Sequence, residues 1–168
     1  VNFPAFEQAL KGFSRYASGQ DRLLVLIDYT KPSTEKRFYI LDLLQKKLLL
    51  STYVAHGRGS GDNYAVAFSN RPGSYQSSLG FFRTGDTYMG KNGYSLFLDG
   101  LEKGINDKAR ERAIVVHGAN YADPAVLKGQ QRLGRSLGCP ALPPDISKQV
   151  IDTIKGGVLL YIYGLNKA

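Results

Sequence analysis

A chain of 168 residues, 43% hydrophobic and 21% charged, suffices for one soluble domain that buries about 70% of its unfolded surface. It has no apolar run near the ~18–20 residues of a membrane-crossing helix, and a single cysteine excludes an internal disulfide. The formal charge of +8 is dispersed, with no long basic block, so it reads as a solvated surface and not as a nucleic-acid footprint.

In chain order, Phe3-Pro4 to Tyr16 predicts a helix, with Phe6, Leu10 and Phe13 on one face and Ser18-Gly19 as its stop. Residues 1–18 are expected to pack as a helix on the edge of a domain formed by residues 19–168. At Arg22 the period changes. Leu23–Tyr29, Arg37–Leu43 and Lys47–Ala55 read as an antiparallel meander, broken by Lys31-Pro32-Ser33-Thr34 and by Leu44-Gln45-Lys46. His56-Gly57-Arg58-Gly59-Ser60-Gly61-Asp62 follows as a polar loop. Further strands are predicted over Ser77–Thr84, Tyr94–Leu98 and Arg112–His117. A tight turn is expected at Tyr88–Gly93, where Asn92-Gly93 is a hairpin signal, and one or two helical turns over Asn106–Arg112. Pro143-Pro144-Asp145 opens a second helix with Ile146, Val150, Ile151 and Ile154 in one apolar stripe, and Gly156-Gly157 ends it. Val158–Tyr163 is a last, buried strand. The fold class is mostly β with a few helices.

The chemistry concentrates at the lone thiol. Cys139 sits in Gly134-Arg135-Ser136-Leu137-Gly138-Cys139-Pro140, a polar turn of small residues, and not in an apolar periodicity. Upstream, Val115-Val116-His117-Gly118 delivers one of two histidines at the end of an apolar run. A thiol and a histidine so presented have the layout of a nucleophile and its base, with a neighbouring imidazolium expected to lower the thiol pKa. A free cysteine is also often a small core hydrophobe, and a histidine after apolar residues can be a core residue satisfied by a carbonyl.

Other sites are weaker. The His56–Asp62 loop lacks the lysine and following helix of a phosphate loop, so nucleotide binding is rejected. A zinc site of His56, His117 and Cys139 has acceptable ligand types but lacks paired ligand spacing. Ser136 lies in no G-x-S-x-G elbow and is better placed to bond within the cysteine turn. A papain-type order, cysteine before histidine, is reversed here. No metal or cofactor is expected.

His117-Gly118, an intervening loop, then Ser136-Leu137-Gly138-Cys139 resembles the signature of the YkuD-type L,D-transpeptidases, which cross-link peptidoglycan. Ser69-Asn70-Arg71-Pro72-Gly73-Ser74-Tyr75 is similar to the family's Pro-x-Gly segment, and Gly80-Phe81-Phe82 to the strand after it. The resemblance spans roughly residues 22–142. Leu137 stands where many members have histidine, and Pro140, Ala141 and Leu142 replace the usual residues after the cysteine, which marks a divergent branch.

The resemblance implies a β-sandwich and a carbapenem-sensitive cysteine acyl-enzyme that forms 3→3 cross-links between stem peptides. Water as acceptor would make it an L,D-carboxypeptidase, and loss of chemistry would leave a peptidoglycan-binding module. It implies Cys139 as nucleophile, His117 as base, the Gly118 carbonyl orienting the imidazole, and an oxyanion held by the N–H groups of Gly138 and Cys139. Ser136, Arg135, Tyr94 and His56 are the candidates for contact with the peptidoglycan stem. The expected protein is a monomer of the periplasm or cell envelope, or secreted, without membrane insertion. Val1-Asn2-Phe3-Pro4 has no signal-peptide pattern, and a start at valine points to a processed or trimmed chain.

Overall fold

The computed structural model describes residues 1–17 and 21–167, so the helix stop expected at Ser18-Gly19 lies outside the described residues. Among the described residues two α-helices and eight strands are formed: α1 (Phe3–Tyr16), β1 (Leu23–Asp28), β2 (Phe38–Asp42), β3 (Lys47–Thr52), β4 (Gly80–Gly90), β5 (Gly93–Gly100), β6 (Val115–Gly118), β7 (Ala141–Leu142), α2 (Pro144–Ile154) and β8 (Leu159–Tyr163). The strands make one sheet in the order β3-β2-β1-β8-β4-β5-β6-β7.

Hydrophobic content on both faces of the central strands explains the layering. In β1, Val25 and Ile27 enter the main core with Phe38, Ile40, Phe82, Leu96, Leu98, Val116, Leu160 and Ile162. Their neighbours Leu24 and Leu26 point the other way, to Ala5 and Ala9 of α1. A strand covered on both faces needs apolar residues at every position, and Leu-Leu-Val-Leu-Ile supplies them. Helix α2 brings Val150, Ile151 and Ile154 into the main core beside β5 and β6.

The last strand does not lie at an edge. β8 inserts between β1, which it pairs in parallel, and β4, which it pairs antiparallel. The sheet curls around its core until its ends nearly meet. Beyond β3, Ala55 bridges Ala141 of β7 through two backbone bonds of 2.8 and 3.3 Å, and Gly57 bridges Ser136. This seam carries the thiol turn.

Several boundaries differ from the pattern. β4 starts at Gly80, not Ser77, because Ser77 and Ser78 spend their hydrogen bonds on Gly57, Ser60 and Ser69. It then runs through Tyr88 to Gly90, which leaves only Lys91 and Asn92 as the turn before Gly93 (φ 82°). β6 starts at Val115 because Ala113 adopts a left-handed φ of 57°, which ends any extended run from Arg112.

Candidate active site

Strand β6 pairs antiparallel with β5, Ser95 opposite His117, and in parallel with β7, His117 opposite Ala141. Two residues before Ala141, Cys139 stands beside Val115, whose N–H points at Sγ from 3.4 Å. The thiol and the imidazole are thus diagonal neighbours on adjoining segments. Both are nearly buried, Cys139 at 9% and His117 at 3% exposure.

The imidazole is fixed by its own neighbour. Nδ1 lies 2.9 Å from the Gly118 carbonyl, which can only accept, so Nδ1 carries the proton and Nε2 keeps its lone pair. Gly118 has no room for a side chain, since a Cβ there would overlap the Ser147 hydroxyl of α2. Burial holds the His117 pKa below the ordinary imidazole value, against the opposing effect of the Gly118 carbonyl. The ring is therefore neutral at pH 7 and shaped as a base.

Burial pushes the Cys139 thiol up, while the Val115 N–H and the charges of Arg112 and Lys91 pull it down. Burial thus works against the imidazolium expected to lower the thiol pKa, since it disfavours charge on both groups. The thiol instead donates to the Ala113 carbonyl at 3.4 Å, and no hydrogen bond joins it to the ring. Ala113 reaches that position through its left-handed backbone.

Ser136 organises the turn from inside. Its hydroxyl donates to the Cys139 carbonyl at 2.6 Å and accepts from the Gly138 N–H at 3.1 Å. It is 3% exposed, and its hydroxyl is spent on bonds within the turn. The Gly138 N–H is thereby occupied; among the described residues nothing accepts from the Cys139 N–H.

The remaining candidates lie elsewhere. His56 is 1% exposed. Its Nδ1 accepts from the Arg37 guanidinium at 2.9 Å and its Nε2 donates to the Gly61 carbonyl at 3.1 Å, so no ring nitrogen remains for a stem peptide or for zinc. Tyr94 alternates with Ser95 and therefore faces away from His117; its hydroxyl donates to Asp152 of α2 at 2.5 Å. Arg135 ties the turn to the preceding loop through Asp62 at 3.1 Å, an exposed pair that is worth at most about 1 kcal/mol.

Three exposed side chains lie near the thiol turn: Leu137, two residues before the thiol, and Tyr75 with the Arg58 guanidinium 4.6 Å above its ring. Tyr75 is held at φ 56°, and its carbonyl accepts from the Gly59 N–H at 2.8 Å. The sequence did not single out Arg112. Its partners lie 34 to 43 positions upstream, a spacing without a local signal.

Solved structures share the fold at low identity. An L,D-transpeptidase from Mycobacterium smegmatis superposes with a TM-score of 0.51 at 13% identity, covering 85% of this chain and 59% of that one. An L,D-transpeptidase from Stackebrandtia nassauensis gives 0.52 at 15% identity over 92% and 62%. The helical cell shape determining protein Pgp2 from Campylobacter jejuni gives 0.57 at 16% over 88% and 50%. The chain thus spans half to about three-fifths of the length of these structures. No curated protein sequence matches the chain. The family profile described as L,D-transpeptidase catalytic domain, YkuD_2, matches residues 1–163, and with that extent the chain belongs to this family.

Proposed function

We propose that the domain is a cysteine acyltransferase that cleaves and rejoins peptidoglycan stem peptides, forming 3→3 cross-links in the cell envelope. The observation that carries the reading is the tautomer of His117. With Nδ1–H committed to Gly118, Nε2 is left as an acceptor on the strand beside the only thiol.

In the first step Cys139 rotates about its Cα–Cβ bond from Ala113 toward the ring and gives its proton to Nε2. Sγ attacks the carbonyl of the third, diamino residue of a tetrapeptide stem. The oxyanion accepts from the Cys139 N–H. As the tetrahedral species collapses, the C–N bond breaks and the terminal D-alanine leaves as an amine with the His117 proton, leaving a thioester. A side-chain amine of a second stem then attacks, gives its proton to Nε2, and displaces the thiolate, which recovers that proton. Water in place of the amine yields a tripeptide and makes the enzyme an L,D-carboxypeptidase.

Incubation with disaccharide-tetrapeptide muropeptides, read by mass spectrometry, tests this. Dimers joined through two diamino residues are the expected product. Tripeptide monomers alone assign the carboxypeptidase reaction, and unchanged tetrapeptide overturns the acyl-transfer reading.

A further inference from the structure

The thiol turn rests against a loop that has no strand to hold it. Between β3 and β4 the segment Ser69–Ser78 runs as irregular chain beneath Gly138. Ser77 ties it to Gly57 and Ser60, and Asn70 ties it to Asp107, but one side chain takes four of its acceptors at once. Arg112 Nη1 donates to the Ser69 carbonyl at 2.8 Å and to the Ser78 hydroxyl at 2.7 Å. Its Nη2 donates to the Gln76 carbonyl at 2.7 Å and to the Ser74 hydroxyl at 3.2 Å. All four acceptors are neutral, and among the described residues no carboxylate pairs with this guanidinium.

The same guanidinium reaches the thiol turn. A Cβ on Gly138 would stand 3.5 Å from Arg112 Nη2 and 3.1 Å from the Gln76 carbonyl. Arg112 also precedes Ala113, the residue whose carbonyl accepts from Sγ. We propose that Arg112 is a positioning residue of this site, clamping the Ser69–Ser78 loop beneath the thiol turn and supplying the fixed positive charge against which the Cys139 thiolate forms.

The neighbourhood leaves that task to few groups. Among the described residues, the titratable groups that interact electrostatically with the thiol are Arg112, Lys91, Tyr29 and Tyr121, and His117 lies on the neighbouring strand. His117 is neutral at pH 7, for the reasons of burial given above. Burial pushes both tyrosines up to about 12, so they carry no charge there either. Lys91 sits exposed on the β4–β5 turn, where water screens it. Arg112 is half-buried, always protonated and uncompensated, so its charge acts through less solvent. A thiolate expelled from a thioester, or formed as Nε2 takes the proton, is stabilised at that point. A lysine keeps the charge but not the four-bond fork.

The role rests on Cys139 being the nucleophile, and its test does not depend on transpeptidation. The rate of Cys139 alkylation by iodoacetamide is measured against pH in the wild type, Arg112→Gln and Arg112→Lys, with thermal unfolding of each. In Arg112→Gln the alkylation midpoint is expected to rise by about one pH unit or more, the scale of a lost neighbouring cation. In Arg112→Lys it is expected to return most of the way to wild type. A folded Arg112→Gln with an unmoved midpoint overturns the proposal. If Arg112→Gln does not fold, Arg112→Lys decides: an unmoved midpoint with carbapenem acylation slowed about tenfold or more supports the clamp, and wild-type acylation overturns it. A shifted midpoint in Arg112→Gln, combined with a wild type that forms neither acyl-enzyme nor cross-link, overturns the acyl-transfer reading alone.

Discussion

Burial disfavours charge on both Cys139 and His117, which makes the reactivity of the pair a matter of when the proton moves. Burial raises the thiol above its usual value and lowers the imidazole below its usual value. In the proposed mechanism the base is therefore competent at pH values where a free histidine is already charged. Acylation of the wild type is expected to stay on a plateau as pH falls through 6.5, the unperturbed histidine value, and to decline only below it. Stopped-flow acylation against pH reads this directly; an acid limb centred at or above 6.5 contradicts it. His117→Ala removes the acceptor and is expected to slow acylation by at least ~10²-fold, the usual scale for a general base. An unslowed variant reassigns His117 to structure.

At the scale of elements, the site is an accident-prone place: the two ends of a curled sheet meet backbone on backbone, and glycine makes the approach possible. A Cβ on Gly57 would overlap the Tyr75 carbonyl, and one on Gly138 would stand 2.9 Å from Ile114 Cδ1. Gly138 also has φ 130°, a conformation L-residues rarely adopt. Gly138→Ala is accordingly expected to destabilise the protein by about 1–3 kcal/mol and to displace Cys139 enough to slow acylation at least tenfold. Urea unfolding and the rate of adduct formation check both parts, and wild-type values for both would mean that the seam yields without cost.

The seam also marks the boundary of what the residue pattern could reveal. Strand β1 and helix α2 were legible because burial imposes a period on their side chains: every position in Leu23–Ile27, one stripe in Ile146–Ile154. The thiol and His117 were legible because small residues and a strand end surround them. Arg112 was not, since its acceptors are serines and carbonyls distant in sequence. Nor was the start of β6, because Ala113 is left-handed in a local cap, with the N–H groups of Ile114 and Ala113 bonded back to the Ala109 and Arg110 carbonyls, at a position where glycine would be the usual signal. His56 looked open in its glycine-rich loop, and it turned inward because Arg37 needed an acceptor there.

That inward pair bears on the whole molecule. Arg37 is fully buried, donating to the Val54 and Lys31 carbonyls and to His56, and burial lowers its pKa to about 10. Beside it, burial and the Arg37 charge hold the His56 pKa down to about 3. Below pH 6.5 the unfolded chain binds a proton at this histidine that the folded protein refuses. The stabilising effect is complete above 6.5 and fades as pH falls toward 3, at up to about 1.4 kcal/mol per pH unit. His117 adds to the same slope. The carboxylates with depressed values, Asp42, Asp99, Asp107 and Asp152, act only near and below 3.8, so the interval between 3.8 and 6.5 belongs to the histidines. Urea midpoints taken across that interval are expected to fall with pH in the wild type and to fall less steeply in His56→Gln. Parallel slopes would contradict a neutral, buried His56.

The central claim, that Cys139 is an activated nucleophile in an acyl-transfer site, is tested most directly by intact-protein mass spectrometry after incubation with a carbapenem. One covalent adduct per chain, mapping to Cys139 and absent from a folded Cys139→Ala variant, is the expected result. Folded wild type that remains unmodified, or an adduct that survives Cys139→Ala, would contradict it.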